Sequence, residues 1–582
     1  MDKLYDWRRI NMTNTIRISL ITFLVVLMAT TVVHAVNLSE MNGASLILTN
    51  GRICTESATE EAMAIGERGI ILAVGDVETV NRYKRPTTQV IDLAGDTVLP
   101  GLHDIHVHPS SGYKRGCNFE QGSSLNKVQE TIAECVREKE EKEWITGGQW
   151  DADSLGEMPD RKMLDKVSPD NPVVLRDISG HSSWANSLAL KMSGIDKDTP
   201  DPKGGIIERD KDGHPTGVLR EAAGQLLRFM EKPPTPEETR MALEWALNEM
   251  LSHGITSLTD AAASTFSAKT YTELADSGKL KQRVRLCFMW SPDNKYSDVM
   301  IAERNLYSRD RVCPDCVKIM LDGVPTDSHT AAMLEPYEDN VEGREDEASR
   351  KGLLLVPSNI LYEAVTRFDA MGLTVKFHAA GDAAVRQGLD AIEAARKNNG
   401  FSGLHHNTGH NSFVHMDDIR RAKNIAATFE MSPYIWYPNP IIADVAKAIG
   451  PERMKRWTPV KDAIDGGGLV VPGSDWAVVP SVNPWIAIET LVTRRKPGGG
   501  GEILGESQKI TLKQAIDLFT VNSAKQMGNG NKTGRIEPGL LADLVVIDRN
   551  PYEIPITEVH KIKVRKTIIN GEIVYDRTAR KK

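Results

Sequence analysis

Two histidines that lie two residues apart form the strongest local candidate for chemistry in the chain. His106 and His108 belong to the segment LPGLHDIHVHP at 99–109, where we predict a strand. Because side chains alternate between the two faces of a strand, both imidazoles project the same way. Neutral imidazoles are ligands for zinc, so the pair could supply half of a divalent-metal site. An H-x-H pair also occurs by chance, and alone it decides nothing.

Further residues of metal-binding type follow other predicted strands. His378, His410 and Asp475 each stand where a short strand gives way to a loop. Catalytic groups of (β/α)₈ barrels come from the C-terminal ends of several strands, so these positions favour a metal centre over packing histidines. Asp475 could bind a divalent ion, accept a proton from the water that the ion activates, and pass it to a leaving group.

Lys318 lies inside the apolar segment VKIML at 317–321. A lysine within a barrel strand is costly unless it is paired or modified. It could react with CO₂ to give a carbamate that bridges two metal ions. It could equally extend to the barrel rim or pair with an acid, and the residues alone leave both alternatives open.

The elements that must position these side chains alternate between short apolar strands and helices across residues 99–534. This alternation predicts a parallel α/β fold, a (β/α)₈ TIM barrel. The predicted strands include 97–102, 173–176, 257–259, 317–321, 374–377, 426–430 and 469–472, and the predicted helices 360–372, 383–397 and 416–423. Residues 113–235 are polar and rich in Gly, Pro and Asp, which predicts an insertion over the barrel mouth.

Short strands near both chain ends predict one small β-sandwich domain built from residues 44–98 and 535–577. Asn-Gly pairs at 50–51 and 570–571 are hairpin turn signals. Residues 1–35 have the order of a secretory signal peptide, with basic residues, an apolar run and a small-residue end. We therefore expect an exported protein, periplasmic or secreted, and membrane-anchored only if this segment is uncleaved.

The six cysteines fit an oxidising compartment. Cys117 and Cys135 flank a short polar segment and could pair. Cys313 and Cys316 form a lone C-x-x-C, for which a local disulfide or free thiols are favoured over a redox or zinc role.

The composition sets the class of partner. The 582-residue chain has a net charge of -8 and 26% charged residues, with no basic patch, so we expect no nucleic acid. The expected partner is a small-molecule substrate, and a homodimer is a possible assembly. A Gly-x-Ser-x-Gly elbow is absent from the sequence, which disfavours a serine hydrolase.

Several sequence blocks together resemble one family. They are LPGLHDIHVHP at 99–109, GGQWD at 147–151, SGHSSWANSLAL at 179–190, GITSLTDA at 254–261, HAAGDAAV at 378–385, GSDW at 473–476 and GLLADLVV at 539–546. They resemble the amidohydrolase superfamily, and within it the amidohydrolase-3 branch that includes N-substituted formamide deformylase. The resemblance runs from about residue 44 to residue 577.

The resemblance implies one or two divalent metal ions, with zinc favoured by the histidine-rich set. The implied ligands are His106, His108, Lys318, His378, His410 and Asp475. The first two and the last would hold one ion, and Asp475 would be the catalytic proton shuttle. The two later histidines would hold the second ion, with a carboxylated Lys318 as the bridge. Extra histidines at 405, 406 and 415 compete with position 410.

The resemblance also implies residues near the substrate, although each could be structural instead. They are His181, Asn186, Trp150, Asp322 and His329. The function that we predict is hydrolysis of a non-peptide C–N bond, in an amide or an N-formyl or N-acyl amine, by metal-activated hydroxide. The alternatives are a mononuclear deaminase or deacylase of the same superfamily, and a non-catalytic exported binding or regulatory protein.

Overall fold

The computed structural model describes residues 43–111, 116–228, 234–339, 349–434 and 440–579. The predicted signal peptide or anchor at 1–35 lies outside these ranges. Among the described residues, no helix combines the length and apolar character that a bilayer crossing requires.

The chain divides into two compact units, and the smaller one contains the described residues up to Gly95 together with Ile536–Ala542 and Asn570–Glu572. Its elements are β1 (Ala44–Thr49), β2 (Arg52–Cys54), β3 (Thr59–Glu60), β4 (Ala62–Gly66), β5 (Ile71–Gly75), α1 (Val77–Asn81) and β6 (Gln89–Asp92). Strand β1 pairs antiparallel with β4 and parallel with β6, while β2 pairs with β3. Both edges of β1 are therefore occupied, and the hairpin predicted at Asn50-Gly51 is wrong.

The larger unit contains Asp96–Arg535, Asp543–Ile569 and Ile573–Lys582. Its strands are β7 (Thr97–Pro100), β8 (Leu102–Val107), β9 (Cys117–Asn118), β10 (Ile145–Trp150), β11 (Val173–Asp177), β12 (Ser182–Ala185), β13 (Gly205–Arg209), β14 (Pro215–Glu221), β15 (Ile255–Ala263), β16 (Arg283–Met289), β17 (Val312–Met320), β18 (Thr374–Ala379), β19 (Asn407–His410), β20 (Thr428–Met431), β21 (Leu469–Pro472), β22 (Leu544–Ile547), β23 (Val564–Ile569) and β24 (Glu572–Asp576). Near the chain end, β22 pairs antiparallel with both β7 and β23.

Helices follow most strands of this unit. They are α2 (Leu125–Val136), α3 (Ala152–Leu155), α4 (Arg161–Asp165), α5 (Ser187–Met192), α6 (Gln225–Arg228), α7 (Pro236–Ser252), α8 (Thr265–Asp276), α9 (Lys295–Ala302), α10 (Ser358–Ala370), α11 (Asp382–Asn399), α12 (Met416–Ala422), α13 (Pro440–Ile449), α14 (Pro451–Met454), α15 (Val460–Asp465), α16 (Pro484–Thr493), α17 (Leu512–Asp517) and α18 (Ser523–Gln526).

Eight parallel strands form the barrel, in the order β8, β15, β16, β17, β18, β19, β20 and β21. The last strand returns to the first. Val107 forms a parallel bridge with Trp476, and the Asp475 amide donates to the His106 carbonyl at 2.8 Å. The predicted (β/α)₈ barrel is confirmed. The predicted boundaries between the small β domain and the barrel, at 98/99 and at 534/535, stay predictions.

The alternation of side chains in β8 explains why its histidines face inward. Ile105 packs with Val471 and Met527 in a buried apolar cluster. Its neighbour His106 must then face the opposite side of the strand, the barrel interior, together with His108. The sequence pattern of this one strand therefore places two imidazoles at the mouth.

An extra sheet lies in the chain between the first two barrel strands. Strands β9 to β14 form it, in the order β13, β14, β12, β11, β10 and β9. The predicted strand at 173–176 belongs to this insertion and not to the barrel. A disulfide joins Cys117 of β9 to Cys135 of α2, as the sequence allowed.

A second disulfide lies within the barrel wall. Cys287 of β16 is bonded to Cys316 of β17, and the two residues are partners in the strand register. Cys313 is a free, exposed cysteine. The sequence favoured a local disulfide or free thiols for the C-x-x-C pair. Neither prediction holds for Cys316, because its disulfide partner, Cys287, lies on the neighbouring strand.

Candidate metal centre

His106, His108 and Asp475 converge at the C-terminal end of the barrel. One ligand atom from each lies within 4.8 Å of the others, and they form the single such group of potential metal ligands among the described residues. An Asp475 carboxylate oxygen lies 3.2 Å from His108 Nε2 and 3.6 Å from His106 Nε2. Asp475 holds this position with a φ of 59°, a conformation uncommon for a residue with a side chain. The three residues predicted for one ion are thus brought together.

Glu430 contacts the first of these histidines. Its Oε2 lies 2.6 Å from His106 Nδ1, which donates to it and leaves Nε2 as an acceptor facing the centre. Lys376 Nζ donates to the same carboxylate oxygen at 2.9 Å. Burial opposes ionisation of Glu430, but the Lys376 ammonium holds its pKa below the ordinary value. Sequence reasoning missed both residues, and the available signal was a lone charge inside each of two predicted strands.

His378 and His410 lie beside this group, with their ring centroids 4.4 Å apart. His378 Nε2 donates to the Gly323 carbonyl at 2.9 Å, and His410 Nδ1 lies 3.1 Å from the Ser432 hydroxyl. The buried Nε2 of His410 has no hydrogen-bond partner among the described residues. Burial, together with neighbouring positive charge, lowers the pKa of both histidines well below the ordinary value. Both are therefore held neutral, as a metal ligand must be.

Lys318 points into the same space and does not reach the rim. Its Nζ lies 3.2 Å from His106 Nε2, and the residue is 2% exposed. Burial, reinforced by the charge of Lys376, lowers the pKa of Lys318 to about 7. A divalent ion fits this set of groups, which consists of neutral imidazoles, the Asp475 carboxylate and the buried His410 Nε2 that has no hydrogen-bond partner in the described part of the chain. Of the histidines that compete in sequence, His406 is already occupied, since its Nε2 bonds to Asp369 at 2.9 Å.

The insertion contributes His181 to the centre. Its ring centroid lies 4.9 Å from that of His378, and its Nδ1 donates to Glu221 at 2.9 Å. Burial opposes the charged form of His181, but the Glu221 carboxylate raises its pKa to about 9. Glu221 has a φ of 48° and a ψ of -125°, and it accepts from the Thr330 hydroxyl at 2.6 Å. One carboxylate thus ties the insertion to the barrel loop after β17.

Two residues predicted near the substrate lie in the core of the insertion instead. The Asn186 side chain accepts from the amides of Val173 and Ala189 and donates to two backbone carbonyls. Trp150 is buried against Trp184 and donates to a backbone carbonyl at 3.1 Å. Neither lines the pocket beside the centre. These contacts account for both side chains without a substrate.

The other two predicted substrate residues shape the loop after β17. Asp322 accepts three backbone amides and lies 3.8 Å from His378 Nε2. Burial raises the pKa of Asp322 to about 8. His329 bonds to Asp339 at 2.7 Å and packs edge-on against Tyr337, away from the pocket lining.

A pocket opens beside the centre. The polar end holds His181, His378, His410 and Asp475, and the remainder is mostly apolar. The apolar lining is Ile178, Val324, Pro325, Ala380, Ile441, Val445, Trp457, Val478, Val479 and Pro480. Within the described chain, this lining contains no lysine or arginine.

The chain matches a known family along most of its length. Residues 89–575 match the model of the amidohydrolase family. Protein LONG AFTER FAR-RED 3 of Arabidopsis thaliana is 30% identical, over 91% of this chain and 92% of that protein. The putative amidohydrolase YtcJ of Bacillus subtilis is 28% identical, over 88% and 95% of the two chains.

Two further comparisons concern an enzyme and a fold. The N-substituted formamide deformylase of Arthrobacter pascens is 27% identical, over 92% of this chain and 98% of that enzyme. The crystal structure of a metal-dependent hydrolase from Pyrococcus horikoshii has a TM-score of 0.67 and 23% identity, and covers 88% of this chain and 99% of its own. At that identity the structural match speaks for the fold alone.

Proposed function

Because the chain belongs to the amidohydrolase family and is a hydrolase, we propose that it cleaves a non-peptide C–N bond with a divalent ion, zinc by preference. The convergence of His106, His108 and Asp475 within 4.8 Å is the observation that carries the proposal. When bound, such an ion supplies hydroxide at neutral pH and polarises a carbonyl group.

The residues of the chain would divide the remaining work. Asp475 reaches both histidines, so its carboxylate can accept the proton of the attacking water and deliver it to the departing nitrogen. His181, fixed by Glu221, lies across the pocket, where it can bind the carbonyl oxygen of a substrate. A substrate bound against the apolar walls would displace water from the site, which would strengthen these interactions.

The apolar lining supports an uncharged substrate with a hydrophobic substituent. Apart from His181, which we assign to the substrate carbonyl, the described lining residues contain no cationic lysine or arginine to meet a carboxylate. A formyl or small acyl group at the polar end would place the substituent against Val324, Val445 and Val479. Similarity to N-substituted formamide deformylase supports an N-formyl or N-acyl amine.

The number of ions is a separate part of the proposal. His106, His108 and Asp475 suffice for one ion, while His378, His410 and a carboxylated Lys318 would complete a second site. Metal analysis of the purified protein distinguishes the two, since two equivalents per chain are expected with the carbamate and one without it. Intact mass under gentle conditions would detect the added CO₂ on Lys318.

The decisive experiment replaces both histidines of β8 with alanine. We expect His106→Ala/His108→Ala to lose bound metal and turnover of N-formyl and N-acyl amines, while His253→Ala retains both. His253 is a suitable control because it bonds to Glu249 within α7. Undiminished turnover in the double variant would refute the proposal.

We also propose that the protein is exported. The disulfides Cys117–Cys135 and Cys287–Cys316 support an oxidising compartment. Mass spectrometry of the mature N-terminus after expression with an export pathway tests this. Cleavage near residue 35 is expected, and an intact N-terminus would favour the anchor.

A further inference from the structure

Two buried charged residues beside the centre, Glu430 and Lys376, support a further inference. We propose that Glu430 is a positioning residue that fixes the tautomer and orientation of His106 for a divalent ion, with Lys376 balancing its charge. The inference rests on the proposed metal-dependent function, and it concerns how the binding site is built.

The contacts of Glu430 leave its carboxylate little freedom. Glu430 and Lys376 are both 0% exposed. Oε2 accepts from His106 Nδ1 at 2.6 Å and from Lys376 Nζ at 2.9 Å, and Lys376 also donates to Asn407 Oδ1 at 3.0 Å. Histidines that bind metals usually donate their other ring nitrogen to such a carboxylate, which sets the tautomer.

The Glu430 carboxylate is also linked, through the Ser432 hydroxyl, to His410 on the neighbouring strand β19. The Ser432 hydroxyl donates to Glu430 Oε1 at 3.4 Å and lies 3.1 Å from His410 Nδ1. A hydroxyl can donate once and accept at the same time, so His410 Nδ1 donates to Ser432. The orphaned Nε2 of His410 is then the nitrogen that carries the free lone pair.

Two glycines provide the room that this arrangement occupies. A Cβ on Gly409 would lie 2.7 Å from Glu430 Oε2. A Cβ on Gly473 would lie 2.5 Å from Glu430 Oε1 and 2.4 Å from His106 Cβ. Neither glycine has a positive φ, so the requirement is for space and not for an unusual backbone. The motifs Thr-Gly-His and Pro-Gly-Ser-Asp are therefore shaped around the Glu430–His106 pair.

The test measures metal affinity, which a purely structural residue would not change in the folded protein. Glu430→Gln keeps the volume and an acceptor but removes the charge. We expect zinc affinity, measured by competition with a chromophoric chelator, to fall about 10- to 100-fold. Circular dichroism and thermal unfolding report in parallel whether the variant is folded.

A second variant keeps the test valid if the single change leaves Lys376 unbalanced and the protein unfolded. Glu430→Gln/Lys376→Met removes both buried charges at similar volume, so we expect it to fold. Its zinc affinity should stay about 10- to 100-fold below that of the wild type.

The chain offers a matched control in Glu489, another fully buried glutamate. It accepts from His560 Nδ1 at 2.7 Å and from the backbone amides of Gly498 and His560. Glu489→Gln should lower thermal stability and leave zinc affinity unchanged.

The outcomes separate the two proposals. Wild-type zinc affinity in either folded Glu430 variant overturns the positioning role while the metal site stands. An equal loss of affinity in Glu489→Gln also overturns it, because the effect would then follow from destabilisation in general. A wild-type protein that binds no divalent ion overturns the proposed function itself.

Discussion

Gly473→Ala is the sharpest single perturbation of the centre, because it adds one methyl group at a known place. The new Cβ would lie 2.4 Å from His106 Cβ and 2.5 Å from Glu430 Oε1. Ordinary contact begins near 3.4 Å, so the two groups must separate by roughly 1 Å. The backbone resists this movement, since the Gly473 amide is bonded to the Met431 carbonyl at 2.8 Å.

The expected magnitudes differ for stability and for activity. Overpacking of a buried site costs about 1–3 kcal/mol of unfolding free energy. A misplacement of about 1 Å in a catalytic group can cost roughly 100-fold in rate. We therefore expect a modestly less stable protein with about 100-fold lower kcat and weakened metal binding.

The assay combines thermal unfolding, zinc titration and steady-state kinetics on an N-formyl amine. Gly500→Ala is the control, because a Cβ there meets nothing within 4 Å and its φ is not positive. Wild-type turnover and zinc affinity in folded Gly473→Ala would show that His106 tolerates the displacement, and the reasoning would be refuted.

Three further changes test other parts of the molecule. Glu221→Gln should lower kcat/KM roughly 10- to 100-fold with metal content unchanged, because the hydrogen bond between His181 and the charged Glu221 carboxylate is worth about 1.5–3 kcal/mol; equal kinetics would contradict this. The pKa of Asp369 is held below its ordinary value, against burial, chiefly by hydrogen bonds from neighbouring side chains. Its stabilising contribution is thus present above about pH 4 and lost as the pH falls further, so Asp369→Asn should show a shallower acid dependence in urea unfolding. Cys316→Ala opens a cross-link of sequence separation 29 to Cys287, and should lower unfolding stability by about 3 kcal/mol in non-reducing buffer; a wild-type melting curve would contradict this.

The sequence predicts the barrel and the ends of its strands better than it predicts the contacts between side chains of different strands. His106 and His108 are recognisable because period-two alternation requires no knowledge of the rest of the fold. Strand β19 carries no apolar run, since its residues Asn407–His410 are polar or small, and it becomes a strand through pairing with its two neighbours. Strand β16 is also absent from the predicted strands, although its first residues, RVRL, alternate between charged and apolar side chains.

The residues that tune the centre were the hardest to predict. Glu430 and Lys376 lie 54 positions apart, and nothing local marks them as partners. Their pairing becomes visible only when adjacent strands are in register. The bond between Cys287 and Cys316 has the same origin, because connectivity among six cysteines does not follow from spacing.

The seam of the barrel has a consequence for the order of assembly. The Ser474 amide donates to Asp104 Oδ1 at 3.0 Å across a sequence separation of 370. The candidate ligands His106 and His108 lie on one side of this seam, and Asp475 lies on the other. During synthesis, the nascent chain cannot hold an ion in this three-residue group until the last strand has emerged and docked. Metal loading would then report that the barrel has closed.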